Sequence, residues 1–411
     1  MKVVKVGSDS TFGKVGSDST FPTRRPSGTR KVESDPTFQK LESDPTFPDP
    51  TSSAARLLND FQRGIPLVHE PYAAIARCLS ADEAWVRATL AGWQHDGVVS
   101  RVGAVFRPGA IGVSTLAALA VPVRDLERVA ALVSALPEVN HNYEREHLFN
   151  LWFVATAPDA QVLAVALARI ARETGYAPIA LPLLADYWID LGFDLSGSAP
   201  KSVPRAPRRS ACGRGVPPAT LSGADRRLVA ALEGGLPLVP APYAAIADAA
   251  GVSEAYVLVR LAEWLNRGVV KRLGVIVRHR KLGFIANAMC VWDVPDHPDA
   301  GAADALGEAL ARERGVTLCY RRERALPAWP YNLFCMLHGR DRATVERRLA
   351  EIVSAHGLAR FASAVLFSRR AFKQCGARYA PDAGDGSSDR ARDAAAGMHA
   401  GASPAMAAAG N

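Results

Sequence analysis

Pro66-Leu67 and Pro71-Tyr72-Ala73-Ala74-Ile75-Ala76 return later in the chain as Pro237-Leu238 and Pro242-Tyr243-Ala244-Ala245-Ile246-Ala247. In the same register, Trp93, Gly97-Val98-Val99 and Arg101 are matched by Trp264, Gly268-Val269-Val270 and Arg272. Gly103, Arg107 and Gly112 then match Gly274, Arg278 and Gly283, with no gap anywhere in the run. A period this long exceeds the roughly 20–50 residues of a solenoid repeat, so the chain holds two duplicated domains rather than an array.

Each copy opens with a small helical unit. Apolar residues fall at helical spacing over 55–61, 72–78 and 81–95. Ser80 is the expected N-cap of the third helix, with Asp82 and Glu83 in its first turn. Gly97 stops that helix and an extended stretch begins over 98–102, the layout of a winged helix-turn-helix. Beyond it the first copy reads strand 116–123, helix 126–135, strand Val139–Arg145, strand 150–156, helix 160–173 and strand Ile179–Ile189. That order is a ferredoxin-like βαββαβ domain, and the second copy repeats it from about 287 to 368. The expected fold class is therefore α+β, with two tandem copies of a helix-turn-helix plus a ferredoxin-like domain. The boundaries are 55–102 and 103–197 for the first copy, and 223–273 and 274–380 for the second.

The rest of the chain differs in kind. Val6–Phe12 recurs as Val15–Phe21, and Glu33–Phe38 recurs as Glu42–Phe47. Residues 1–54 are low-complexity sequence that cannot bury a core; disorder is expected, as is a true start of translation further downstream. The tail over 381–411 is expected to behave likewise. The net charge of +8 owes much to a Pro-rich linker over 198–222, where Lys201, Arg205, Arg208, Arg209 and Arg214 meet no acid.

Composition excludes several classes. Charged residues are 22% and hydrophobic ones 48%, normal for a globular protein. No apolar run approaches the roughly 20 residues of a membrane span, and no signal segment opens the chain, so a cytoplasmic location is expected. The cysteines Cys78, Cys212, Cys290, Cys319, Cys335 and Cys375 form no C-x-x-C pair, which argues against zinc and against a disulfide framework. DNA is an unpromising partner: the expected recognition helices carry Asp82 and Glu83 beside Arg87, and Glu254 and Glu263 beside Arg260 and Arg267.

The chemistry is expected on strand Val139–Arg145. Alternation puts His141, Tyr143 and Arg145 on one face, with His147 just beyond and an aromatic run, Phe149 to Phe153, following. Proton donors, a phenol and a guanidinium fork suit a polycarboxylate ligand. Singly, each residue has an ordinary structural explanation; grouped on one face, they indicate a site. In the second copy Tyr320 and Arg322 match Tyr143 and Arg145, while Leu318 and Arg324 replace His141 and His147. Arg107 and Arg278 follow a glycine-containing turn and are weaker candidates for further carboxylates. Trp152 and Phe153 read as core, and His279 and His338 read as isolated histidines without a role.

The run His141-Asn142-Tyr143-x-Arg145-x-His147 followed by Asn150-Leu151-Trp152-Phe153 resembles the siroheme decarboxylases, relatives of the Lrp/AsnC regulators. Tyr187 to Phe193 resembles the end of one subunit type. Cys319-Tyr320-Arg321-Arg322, Trp329 to Leu333 and Leu366 to Gln374 resemble the other. The likeness covers about 55–200 and 223–380, and the chain resembles the fused two-subunit form that serves heme d1 formation in denitrifying bacteria. The resemblance implies removal of carboxyl groups from two acetate side chains of siroheme, leaving methyl groups and releasing carbon dioxide. It implies siroheme as the bound partner, and no cofactor beyond the iron that siroheme carries. His141 and His147 would be the catalytic acid/base groups, or one of them an axial contact to the substrate iron. Tyr143, Arg145, Tyr320 and Arg322, and more weakly Arg107 and Arg278, would bind substrate carboxylates. The halves are expected to pair within the chain, with a further homodimer compatible. A ligand-sensing transcriptional regulator and a non-catalytic heme-binding protein are the alternatives.

Overall fold

A computed structural model describes residues 52–189, 219–296 and 301–379. The low-complexity stretch 1–54, the linker over 198–222 and the tail over 381–411 lie outside the described residues, apart from 52–54 and 219–222, as does the motif end from Asp190 to Phe193. No helix among the described residues is long and apolar enough to cross a membrane.

The first helical unit comprises α1 (Ser53–Asp60), α2 (Pro71–Leu79) and α3 (Glu83–His95), followed by strand β1 (Val99–Phe106). The first ferredoxin-like part is β2 (Val113–Leu119), α4 (Leu126–Ala135), β3 (Val139–Arg145), β4 (Leu151–Ala157), α5 (Ala160–Thr174) and β5 (Ile179–Ile189). The second copy repeats this as α6 (Gly223–Glu233), α7 (Pro242–Ala250), α8 (Glu254–Asn266) and β6 (Val270–Val277). It continues with β7 (Ala286–Trp292), α9 (Gly301–Ala311), β8 (Val316–Arg322), β9 (Leu333–Gly339), α10 (Arg342–Ala355) and β10 (Ser363–Gln374).

The repeated Pro-Tyr motif is where the halves join. Pro71 and Pro242 sit in the first turn of α2 and α7, where a fixed φ suits helix entry and the missing N–H costs nothing. Tyr72 donates to the Pro237 carbonyl at 3.2 Å, and Tyr243 to the Pro66 carbonyl at 3.0 Å, each reaching into the other copy. Both rings are fully buried in one core that runs from Leu57, Ile75 and Leu90 to Leu228, Ile246 and Trp264. The two helix-turn-helix units thus share a single interior.

Ser80 does not cap α3. It closes α2 in the left-handed region at φ 52°, and its N–H reaches the Ala76 and Arg77 carbonyls. The sharp turn into α3 demands that conformation; the second copy meets it with Gly251 at φ 62°. Asp82 takes the N-cap position, and its counterpart Ser253 accepts from the Tyr256 N–H at 3.2 Å. Nor does the stretch after α3 fold back as an independent wing. β1 runs on to Phe106 and pairs antiparallel with β6, with Gly103 opposite Gly274.

The ferredoxin-like parts also close on each other. Their strands form one closed barrel in the order β10-β3-β4-β2-β5-β8-β9-β7. The seams are β3 with β10 and β5 with β8, both between copies. β5 and β10, 11 and 12 residues long against 7 for their neighbours, span both sheets. Alternation sorts the side chains: Phe153 packs outward under α4 and α5 with Val129 and Ile170. Trp152 points into a lumen filled by Leu116, Met289, Tyr320, Trp329, Phe334 and Leu366.

Candidate functional site

His141, Tyr143 and Arg145 share the barrel's inner face, because β3 sets His141 opposite Val154 and Tyr143 opposite the lumenal Trp152. The imidazole and phenol rings lie nearly parallel, 14° apart in plane with centroids 6.1 Å apart. The Arg145 guanidinium stands 5.8 Å from the Tyr143 centroid. On the other edge of β3, Tyr143 faces Ala371 and His141 faces Gln374 of β10.

Residues of the second copy complete this face. A 3-10 turn, His279–Leu282, follows β6 and brings Arg278, His279 and Arg280 against β3. β7 and β9 bring Asn287 and His338, which are paired in register. Arg145 donates to Asn287 Oδ1 at 3.2 Å and to the Leu366 carbonyl at 3.1 Å. Asn287 Nδ2 lies 2.7 Å from His338 Nε2, and His338 Nδ1 lies 2.8 Å from Thr317 Oγ1, which donates to the Met336 carbonyl. Only one proton arrangement satisfies this row. Arginine can only donate, so Asn287 Oδ1 accepts and its amide N–H must donate to His338 Nε2. The Thr317 proton goes to Met336, so His338 Nδ1–H donates to Thr317. His338 is thereby held neutral, with both ring nitrogens committed to the row that fixes Arg145. His279 packs edge-on against it, centroids 4.6 Å apart.

The electrostatics are unusual for so many cations. Burial, reinforced by Arg101, lowers His141 to about 4. Burial, with Arg280, Arg145 and His141 adding, lowers His279 to about 4, and burial with His279, Arg145 and Arg280 holds His338 well below the usual imidazole range. Burial also lowers Arg145 to about 10, while it pushes the Tyr143 phenol up against the pull of Arg145, Arg280 and Arg278. Among the described residues, the principal electrostatic neighbours of these groups are arginines, tyrosines, histidines and, for Arg145, the Cys290 thiol, with no carboxylate among them. Buried Nε atoms of Arg101, Arg145, Arg278 and Arg280, and Nδ1 of His141, have no hydrogen-bond partner among the described residues. Buried polar groups are ordinarily satisfied, so these atoms are open to acceptors that a ligand brings. Neutral imidazoles beside uncompensated guanidinium groups can bind carboxylates and then take up protons.

His147 lies apart, beyond the far end of β3. Its Nδ1 accepts the Phe149 N–H at 3.1 Å, which leaves the ring proton on Nε2. Trp329, fully buried, packs edge-on to it at 5.3 Å and to Trp152 at 4.9 Å. Trp329 comes from the segment inserted between β8 and β9, and there it plugs the lumen. Burial lowers the His147 pKa, and no charged group contributes. The structure therefore gathers His141, Tyr143, Arg145 and Arg278, and sets His147 in an aromatic surround of its own.

The second copy's face is differently arranged. Tyr320 is buried in the lumen, close enough to act on Arg145, and carries the Arg322 guanidinium 4.6 Å from its centroid. Arg322 also donates to the Leu181 carbonyl at 2.8 Å. Arg107 is buried beside Asp186, a residue with no acidic counterpart near Tyr143. Sequence reasoning missed Arg101, His279, Arg280, Asn287 and His338. The signal that could have found the two histidines is the duplication itself, since Pro108 and Thr156 stand at the matching positions.

Comparison with known proteins agrees with this architecture. A model described as the AsnC-like ligand binding domain matches residues 110–187 and 281–373. One described as the siroheme decarboxylase NirDL-like HTH domain matches 55–99 and 225–270. The chain is 46% identical over 324 residues to the siroheme decarboxylase NirDL subunit of Paracoccus pantotrophus, covering 78% of this chain and 95% of that one. A crystal structure of the siroheme decarboxylase NirDL is 28% identical, with a TM-score of 0.58, covering 80% of this chain and 95% of that one. A second, of NirDL in co-complex with an iron-uroporphyrin III analogue, is 27% identical with a TM-score of 0.55, covering 80% and 93%. Two copies of each family domain in tandem, and identity spread over nearly the full length of such relatives, mean that this chain belongs to the siroheme decarboxylase family, in its fused two-subunit form.

Proposed function

We propose that this chain is a carboxy-lyase that removes carboxyl groups from two acetate side chains of siroheme, giving didecarboxysiroheme for heme d1 formation. The observation that carries the reading is the ring of arginines around neutral imidazoles with no carboxylate among their principal neighbours. A tetrapyrrole bearing many carboxylates supplies the missing negative charge. Loss of carbon dioxide breaks the bond from the acetate methylene to the carboxyl carbon and leaves its electron pair on the methylene; a proton delivered there completes the methyl group.

In this reading Arg278, Arg280 and Arg101 hold carboxylates that the substrate does not lose, and Arg145, fixed by Asn287, orients the reacting one with Tyr143. Substrate carboxylates raise the imidazole pKa values by adding nearby negative charge, so His141 and His279 become proton donors once substrate is bound. His147, with its proton on Nε2, serves as a second donor or contacts the substrate iron. Tyr320 backs the site through Arg145. The reaction needs no cofactor beyond the iron that siroheme brings.

The regulator alternative is weakened by its own helices. Arg87 is engaged by Glu83 at 3.0 Å, Arg260 by Asp225 at 2.6 Å, and Arg267 by Glu263 at 3.0 Å, so these cations are already compensated for phosphate binding. Anaerobic incubation of the purified chain with siroheme, followed by mass spectrometry of the extracted tetrapyrrole, tests the proposal. Mono- and then didecarboxylated products are expected, and are expected to be lost in His141→Ala and in His147→Ala. Siroheme recovered bound but unchanged would refute catalysis and make the protein a carrier.

A further inference from the structure

The duplication generates two related positions in the barrel, and comparing them residue by residue shows that they are not two copies of one site. In the first, β3 supplies His141, Tyr143 and Arg145, flanked by Arg278-His279-Arg280 and by Asn287 and His338. In the second, β8 supplies Leu318, Tyr320 and Arg322; Arg107-Pro108-Gly109 matches Arg278-His279-Arg280, and Ser114 and Thr156 match Asn287 and His338. Every imidazole of the first is absent from the second. Ala371 is opposite Tyr143, whereas Asp186 is opposite Tyr320.

Asp186 is an unusual substitution for that place. Its side chain is only 4% exposed, yet it carries a carboxylate, 2.5 Å from Lys271 Nζ and close enough to feel Arg107. Lys271 itself has Ser100 as its counterpart in the other copy. A buried acid is costly unless cations offset its charge; here Lys271 pairs with it and the arginine matching Arg278 adds its charge. The second position thus already has the chemistry of an anion pocket with an anion in it, supplied by the chain.

We propose that Asp186 is an internal stand-in for a substrate carboxylate, closing the pocket related by duplication, so that each chain carries a single tetrapyrrole site at His141, Tyr143 and Arg145. This rests on the functional reading above for the identity of the ligand, and it adds the count and the location. It follows that both acetates of one siroheme lose carbon dioxide at the same place, one after the other, with the macrocycle turning or rebinding between the two events.

Absorbance titration of the full chain with iron-uroporphyrin III tests the count without turnover. One molecule per chain is expected, with His141→Ala weakening binding about tenfold or more and Leu318→Ala changing it less than twofold. Two molecules per chain, or equal losses from the two matched substitutions, would overturn the proposal. Asp186 is tested separately by thermal unfolding. Asp186→Ala is expected to lower the melting temperature and to regain much of the loss in millimolar acetate but not in equal chloride, because acetate refills the pocket. If Asp186→Ala does not fold, Asp186→Asn serves, with a smaller loss and weaker rescue. Acetate acting no differently from chloride would sink the stand-in role. Failure of any iron-uroporphyrin III to bind would refute the functional reading instead, and the acetate measurement would still decide the role of Asp186.

Discussion

Acid should destabilise this fold in a window set by its buried imidazoles. His141 and His279 each sit at about 4 in the folded chain against 6.5 for an unperturbed histidine, chiefly because burial disfavours the charged form. The folded state therefore resists protonation that the unfolded chain accepts. The contribution to stability is complete above pH 6.5 and falls steadily as pH drops toward 4, where the loss levels off. A fall of this size is worth about 3 kcal/mol for one imidazole. Because His279 feels His141, the pair together should cost more than ~3 and less than ~7 kcal/mol, with His338 adding in the same direction. Against a typical total of roughly 5–15 kcal/mol, that decides whether the chain is folded at pH 4.5. The window is specific. The lowered carboxyls of Asp225, Glu263 and Asp341 act only below their ordinary pKa values, and Asp186, raised by burial, acts with the opposite sign. Urea unfolding followed by tryptophan fluorescence at a series of pH values from 7 to 4.5, with His279→Asn as a control that flattens the slope, measures the effect. Stability unchanged between pH 6.5 and 4.5 would refute the claim that these imidazoles are held neutral by burial.

The same imidazoles should charge when a polyanion arrives. Binding of iron-uroporphyrin III near pH 6 is expected to take up about one proton per chain, read by calorimetry in buffers of different ionisation enthalpy, and to tighten as pH falls toward 4; zero uptake would remove the acid role from His141 and His279. Trp329→Ala should destabilise the chain by about 3–5 kcal/mol, since a fully buried indole is lost from the lumen where Trp152 and Phe334 depend on it. Denaturant midpoints would show it, and a change under about 1 kcal/mol would mean that the lumen collapses freely. A protease site inserted between positions 190 and 218 and then cut should leave the halves together on gel filtration, because both barrel seams and the helical core join one copy to the other. Separation into two species would contradict the shared interior.

Local rules carried the sequence reading a long way, and the places where they stopped have physical causes. The one-face placement of His141, Tyr143 and Arg145 needed only strand alternation, and it survives even with a register shift between Val139 and His141. The bounds of α4, β3 and β5 followed from periodicity and turn signals. Barrel closure was harder, because it depends on strands pairing across copies, which no local pattern encodes. The one hint was length: β5 and β10 are too long for the sheets their neighbours make, and the excess is what bonds to the other half. Ser80 was misread because serine favours N-caps, whereas the turn here required a left-handed residue and overrode the side chain's preference. His279 and His338 looked solitary because β6, β7 and β9 bring them to β3 only after the halves close.

Duplication makes such a site readable in a way that a single domain does not. Two copies that began alike share the demands of folding, and matched positions such as the Pro-Tyr joints and the glycines at the centre of the β1–β6 ribbon are accounted for by the fold. What folding does not require is free to differ, and four of the differences fall on the two related pockets. His141 against Leu318, His279 against Pro108, His338 against Thr156 and Ala371 against Asp186 all bear on the same two related pockets. On the proposed reading, these changes together suit one pocket to a polyanion and leave the other holding its own anion. Together they place a carboxylate at one pocket and imidazoles at the other. The asymmetry is therefore the part of the structure most directly tied to chemistry, and the shared framework is what holds the two halves close enough for residues of one copy to complete the site of the other.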